Sequence, residues 1–165
     1  MMRKAVLEDL KGIMEMLKAT VAEMNADNNF QWDENYPQEK DFRQDIEKGD
    51  LYVAERDGIM LGFVCVNKTE PVEYNGLKWS SKEEAMVVHR MAVNPEYRRN
   101  GVGTELMRFA DELALKNNIR YLKTDTNSVN TKMNALFVKC GYKFIGEMSF
   151  LGKETPFYCY DKLLS

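Results

Sequence analysis

Arg98-Arg99-Asn100-Gly101-Val102-Gly103 is the stretch from which the rest of the chain can be placed. Before it runs an apolar segment, Met86 to Val93, that reads as a strand; after it a helix is expected from Thr104, with Leu106, Phe109, Ala110, Leu113 and Ala114 on one stripe. Two glycines one residue apart remove the side chains that would keep an anion from the backbone. A helix starting there points its unpaired N–H groups into the gap. The partial positive charge of the helix start and the guanidinium groups of Arg98 and Arg99 act in the same direction. The turn is a candidate phosphate cradle, against the plainer reading of a basic surface turn.

Downstream, Tyr121 to Thr126 reads as a strand, Asn130 to Cys140 as a helix, and Tyr142 to Met148 with Phe157 to Leu163 as a closing antiparallel pair. Upstream, a short strand at Met2 to Ala5 precedes an amphipathic helix in which Leu10, Ile13, Met14, Leu17, Val21 and Met24 recur at helical spacing. A second helix is expected from Pro37 to Lys48, with proline in its first turn and Gly49 at its end. Leu51 to Arg56 and Ile59 to Asn67 are two strands joined at Asp57-Gly58, a hairpin signal. Between Asn25 and Pro37 the period breaks, and Phe30, Trp32 and Tyr36 stand among polar residues. Trp32 and Tyr36 either fold back as a lid on the core or wall a substrate pocket. Lys68 to Glu83 is irregular and polar, a loop or hairpin tip.

A chain of 165 residues is the size of one domain, and no Pro/Ser/Gly linker divides it, so a single domain over 1–165 is expected. Cys65, Cys140 and Cys159 are odd in number and show no metal-ligand spacing; reduced core thiols and no metal are expected. No apolar run reaches membrane-spanning length and no apolar segment follows the N-terminal charges, which points to the cytoplasm and away from membranes. The net charge of -3 argues against a nucleic-acid partner.

The strand, the Asn94-Pro95-Glu96-Tyr97 link, the RRNGVG turn and the helix after it resemble the acetyl-coenzyme A loop of the GNAT superfamily of N-acyltransferases. That signature reads Gln or Arg, two residues, Gly, one residue, Gly or Ala. The run Asn130 to Tyr142 is similar to the family's next helix, which an Asn opens and a Gly-aromatic pair, here Gly141-Tyr142, closes. The resemblance implies a mixed α/β fold: a mostly antiparallel central sheet with a parallel crossover in the middle, flanked by about four helices. It also implies acetyl-coenzyme A as co-substrate and direct transfer of the acetyl group to an amine, without acylation of the protein.

On the same resemblance, Met91 and Val93 would pair with the pantetheine arm. Arg98, Arg99, Asn100, Gly101, Val102, Gly103 and Thr104 would hold the pyrophosphate, and a backbone N–H near Met91 would stabilise the developing oxyanion. Asn130 would bond the arm, although a helix N-cap role fits it equally. Phe137 falls where many members carry the tyrosine that protonates the leaving thiolate. A phenyl ring cannot, so water, Tyr160 or Tyr142 is left for that task.

An alkyl amine with a pKa near 10.4 is neutral in on the order of one molecule in a thousand at neutral pH, roughly 4 kcal/mol of preparation. His89, the sole histidine, lies where the family often places a glutamate base, and its ordinary pKa suits proton removal; a satisfied sheet histidine is the alternative. Between Glu23 and Asp57 stand eleven Asp and Glu against four Lys and Arg, a balance of -7, which fits a small cationic amine or peptide acceptor. A homodimer is expected from the splayed strands of the fold. A non-catalytic coenzyme A-binding sensor is the second class, kept open by Phe137.

Overall fold

In the computed structural model, which describes residues 1–165, the strands are β1 (Met2–Lys4), β2 (Leu51–Arg56), β3 (Ile59–Asn67), β4 (Ala85–Val93), β5 (Tyr121–Asn127), β6 (Lys143–Met148) and β7 (Phe157–Leu163). The helices are α1 (Leu10–Ala26), α2 (Glu39–Glu47), α3 (Val102–Lys116) and α4 (Thr131–Lys139). The strands form one sheet in the order β1-β2-β3-β4-β5-β7-β6. β4 and β5 run parallel, with Ala85 opposite Tyr121 and Val88 opposite Thr124, whereas β1–β2, β2–β3, β5–β7 and β6–β7 are antiparallel. No helix is long and apolar enough to cross a membrane.

The chain divides into two compact units: Met1–Val66 with Arg90–Leu106, and Asn67–His89 with Met107–Ser165. In the first, the α1 stripe places Leu10, Ile13, Met16 and Leu17 against Trp32, Phe42, Leu51, Val53, Phe63, Cys65 and Ala92. The β2–β3 hairpin turns at Asp57 (φ 53°) and Gly58 (φ 77°), the two left-handed residues that a tight hairpin matching strand twist demands. Gly62 is required for a different reason. A Cβ there would lie 2.7 Å from the Ala92 carbonyl oxygen and 3.2 to 3.3 Å from Leu106 and Val102, so only glycine lets the start of α3 and the β4 backbone approach β3 this closely.

In the second unit, Tyr74, Val87, Met148, Phe157 and Cys159 form the buried cluster, with Leu77, Trp79, Ile145 and Phe150 packed on it. Residues 68–83 have one short 3-10 turn, Val72–Tyr74, and are pinned to the strands by side chains. The Ser80 amide and hydroxyl donate to Asp161 (2.8 and 3.0 Å), and Lys123 Nζ reaches Glu70 (2.9 Å) while standing 4.4 Å from the centre of the Trp79 ring.

Three helix starts differ from the sequence reading. α2 begins at Glu39, because Gln38 is the cap, its N–H donating to Asp41 Oδ2 at 2.7 Å, and Pro37 stands before it in the loop. α3 begins at Val102, two residues before Thr104: the positive φ of Gly101 makes the turn by itself, and helical geometry follows at once. α4 begins after Asn130, which stands outside it as the cap.

Candidate active site

In the first unit, Asn94 fixes the end of β4, its N–H donating to Leu61 O (2.8 Å) and its Oδ1 accepting from Glu96 N (3.1 Å). The chain then passes through left-handed conformations at Arg99 (φ 68°) and Gly101 (φ 74°). The first bond into α3 runs from Glu105 N to Gly101 O at 3.0 Å, so the N–H groups of Val102, Gly103 and Thr104 precede the helical ladder. Val102 is 2% exposed and contributes only backbone, whereas Arg99, Asn100 and Gly101 are exposed. A Cβ built on Gly101 meets nothing within 4 Å, which leaves open space above the turn.

Arg98 is engaged differently from Arg99. Its Nη2 pairs with Glu23 Oε1 of α1 at 2.6 Å, while its Nε is buried without a partner. Successive N–H donors, an orphaned guanidinium N–H, the exposed Arg99 and the space over Gly101 together fit a diphosphate. Upstream on β4, Met91 and Ala92 are buried and Val93 half-buried.

The two aromatics assigned to a substrate pocket part company. Trp32 is 6% exposed and belongs to the core, with Asn25 Nδ2 donating to its carbonyl (3.1 Å), so it anchors the loop. The Tyr36 hydroxyl accepts from Arg90 Nη1 at 2.6 Å, and the same guanidinium holds Asp45 of α2.

In the second unit, His89 Nε2 lies 2.6 Å from Asn67 Oδ1, and that oxygen also accepts from the Thr69 backbone N–H at 2.9 Å. A backbone N–H only donates, which fixes the amide orientation. The oxygen only accepts, so the histidine nitrogen facing it must carry a proton. In the neutral ring, Nδ1 therefore carries the lone pair.

Asn130 Oδ1 accepts from Met133 N at 3.2 Å, the cap geometry. One turn on, Asn134 Nδ2 donates to the carbonyls of Asn127 (3.2 Å) and Asn130 (2.9 Å), which turns its Oδ1 toward the Tyr160 hydroxyl at 2.6 Å. Asn134 escaped the sequence reading; its spacing of four from Asn130 on one helix was the available signal. Burial pushes the Tyr160 phenol up, so it keeps its proton at neutral pH and is in the state an acid needs. Phe137, 2% exposed, packs against Tyr160 and Tyr142 with ring centres 5.4 and 5.9 Å away. The Tyr142 hydroxyl is buried without a partner.

Comparison with known proteins places the chain among acetyltransferases. Over 76 residues the chain is 36% identical to the Xenopus tropicalis protein named Probable N-acetyltransferase 14; the match takes in 46% of this chain and 37% of that protein. A GNAT family acetyltransferase structure from Streptococcus agalactiae superposes with a TM-score of 0.88 at 22% identity, covering 100% of this chain and 95% of that one. A Salmonella typhimurium acetyltransferase structure with its cofactor acetyl-CoA gives a TM-score of 0.72 at 14% identity, covering 100% and 94%. The model of the acetyltransferase (GNAT) family matches residues 17–142, and the chain belongs to that family.

Proposed function

We propose that this protein transfers an acetyl group from acetyl-coenzyme A to the amine of a small cationic molecule or peptide. The observation that carries the reading is the turn at Arg99–Gly101, where two left-handed residues, open space and the unpaired start of α3 fit the pyrophosphate of the co-substrate. When bound, acetyl-coenzyme A supplies the activated acyl carbon. The backbone of β4 at Met91 and Val93 would hold the arm, and His89 Nδ1 would take a proton from the attacking amine.

Direct transfer without an acyl-enzyme is supported by the thiols. Burial pushes Cys65 up, Cys159 up to about 12, and Cys140 up as well, so none of the three is a ready thiolate. Phe137 favours a second reading, a binding protein without turnover; the Tyr160 hydroxyl beside that ring, whose proton is donated to Asn134 Oδ1 in this structure, is the acid that the first reading calls on.

Thiol release from acetyl-coenzyme A, followed with spermidine, glucosamine, free amino acids and peptides as acceptors, tests the assignment. Release that depends on one of these amines is expected. Binding of coenzyme A without release from any of them would favour the sensor.

A further inference from the structure

We propose that Glu23 is a resident counter-anion of the phosphate turn, one that occupies the Arg98 guanidinium until a diphosphate displaces it and so sets how tightly coenzyme A is held. This rests on reading the turn at 98–104 as the site of that diphosphate. Glu23 stands in the last turn of α1, and its Oε1 lies 2.6 Å from Arg98 Nη2. A carboxylate and a phosphate present the same kind of acceptor oxygen to a guanidinium, so the two compete for one group.

Two arginines of this unit differ in how their donors are used. A guanidinium has an edge with two parallel donors, Nε and Nη2, which matches a pair of oxygens on a carboxylate or a phosphate. At Arg90 that edge is full: Nε donates to Asp45 Oδ2 at 3.0 Å and Nη2 to Oδ1 at 2.6 Å. At Arg98 it is half full. Glu23 engages Nη2, while the neighbouring Nε is buried and meets no acceptor. A buried N–H without a partner is uncommon in a folded protein, and this one belongs to the turn that fits an anion.

The setting of Glu23 suits displacement rather than bracing. The side chains of Arg98 and Glu23 are 32% and 33% exposed, against 18% and 8% for Arg90 and Asp45. A one-point pair at that exposure is held weakly, because water competes for both charges. The Arg90 pair, two-point and enclosed, is a fixed element by comparison. A phosphate brings the second oxygen that Nε lacks, and Glu23 has water to turn to when it leaves. The exchange also selects among anions. An anion that makes one contact merely replaces Glu23, whereas a diphosphate that spans Nε and Nη2 gains a bond the resident pair does not have.

Titration calorimetry of the whole protein with coenzyme A is the test. Glu23→Gln should bind coenzyme A about fivefold more tightly than wild type. Glu23→Asp keeps the charge on a side chain one methylene shorter. It should also bind more tightly, because the guanidinium edge is vacated, whereas repulsion through space would leave its affinity at the wild-type value. Arg98→Gln should weaken binding on the order of tenfold, the loss of a charge-assisted two-point contact. Nitrogen-15 NMR of wild type supplies a second readout: the Arg98 Nε–H should move downfield when coenzyme A is added, as an N–H does on gaining an acceptor. Unchanged or weaker binding in Glu23→Gln, wild-type affinity in Glu23→Asp or in Arg98→Gln, or an unmoved Nε–H each overturns the proposal and leaves the cofactor assignment standing. Wild-type protein that binds no coenzyme A removes that assignment, and this proposal with it.

Discussion

Arg90 holds Asp45 by two nitrogens, Nε at 3.0 Å from Oδ2 and Nη2 at 2.6 Å from Oδ1, with side chains only 18% and 8% exposed. A pair this enclosed gains little net stability from its own attraction, but each partner makes the other tolerable. Arg90→Met should therefore destabilise by about 3–5 kcal/mol in urea unfolding, because a buried carboxylate is left behind. Arg90→Met combined with Asp45→Leu should recover much of that loss. Equal costs for the single and double variants would show that the pair is not energetically coupled.

Gly101 lies at φ 74° with open space over it, so a side chain there is strained and also fills the room needed by an anion. Gly101→Val should lose about 1–2 kcal/mol from the left-handed backbone alone. The rise in melting temperature expected of the wild type with millimolar coenzyme A, worth about 2.7 kcal/mol at a hundredfold excess over Kd, should be absent from the variant. A variant that melts lower but keeps the full ligand shift would place the pyrophosphate elsewhere.

Arg3 grips Asp9 through Nη1 and Nη2, both at 2.8 Å, and the Val6 N–H adds a third bond at 2.7 Å. The Arg3 guanidinium holds the Asp9 carboxyl below its ordinary value of 3.8. A depressed carboxyl contributes stability above its unfolded pKa and loses it as pH falls through the folded one. Asp9→Asn should cost about 1 kcal/mol at pH 7, discounted for the partial exposure of Arg3, with the gap to wild type narrowing below pH of about 4. Urea midpoints between pH 2.5 and 7 measure it; a gap that widens on acidification would reverse the sign.

Asp125 should behave in the opposite sense. Its folded pKa of about 6 lies above 3.8, so its contribution to stability is greatest at low pH and declines as pH rises through 6. Asp125→Asn should melt higher than wild type at pH 8, and the difference should shrink as the pH falls from 6 towards 3.8. A variant less stable at pH 8 would mean that the charged form is favoured by the fold.

His89→Gln removes the ring whose Nε2 proton is committed to Asn67. The variant should retain its coenzyme A melting shift and lose on the order of a hundredfold in turnover. Asn67→Ala should give a smaller loss by releasing the ring orientation. Wild-type turnover in His89→Gln would remove the imidazole from proton transfer.

The hairpin at Asp57-Gly58, the α1 stripe, the β4-to-α3 turn and the Asn130 cap were legible in the sequence because each depends on neighbours within a few residues: a backbone conformation that glycine permits, a helical period, a side chain bonding its own first turn. The same locality explains the errors. Apolar periodicity marks α3 only from its stripe onward, so the start at Val102, set by the φ of Gly101, lies two residues ahead of it, and Pro37, a residue suited to a first turn, stands in the loop before the Gln38 cap.

Other features join residues far apart along the chain. Nothing near Trp32 in sequence says that it belongs beside Phe42 and Leu51, while Tyr36 four residues on reaches Arg90. The Nε2-protonated state of His89 depends on an amide 22 residues away, and the value near 6 of Asp125 on a phenol 51 residues away. A side chain's chemistry is set by desolvation and by the groups that face it, and those are decided by strand register and loop docking. The sequence by itself determined the glycine turn and the helix start that follows it, since those need only local backbone geometry; the tautomer of His89 and the basicity of Asp125 were decided by the tertiary structure, because burial and distant partners set them.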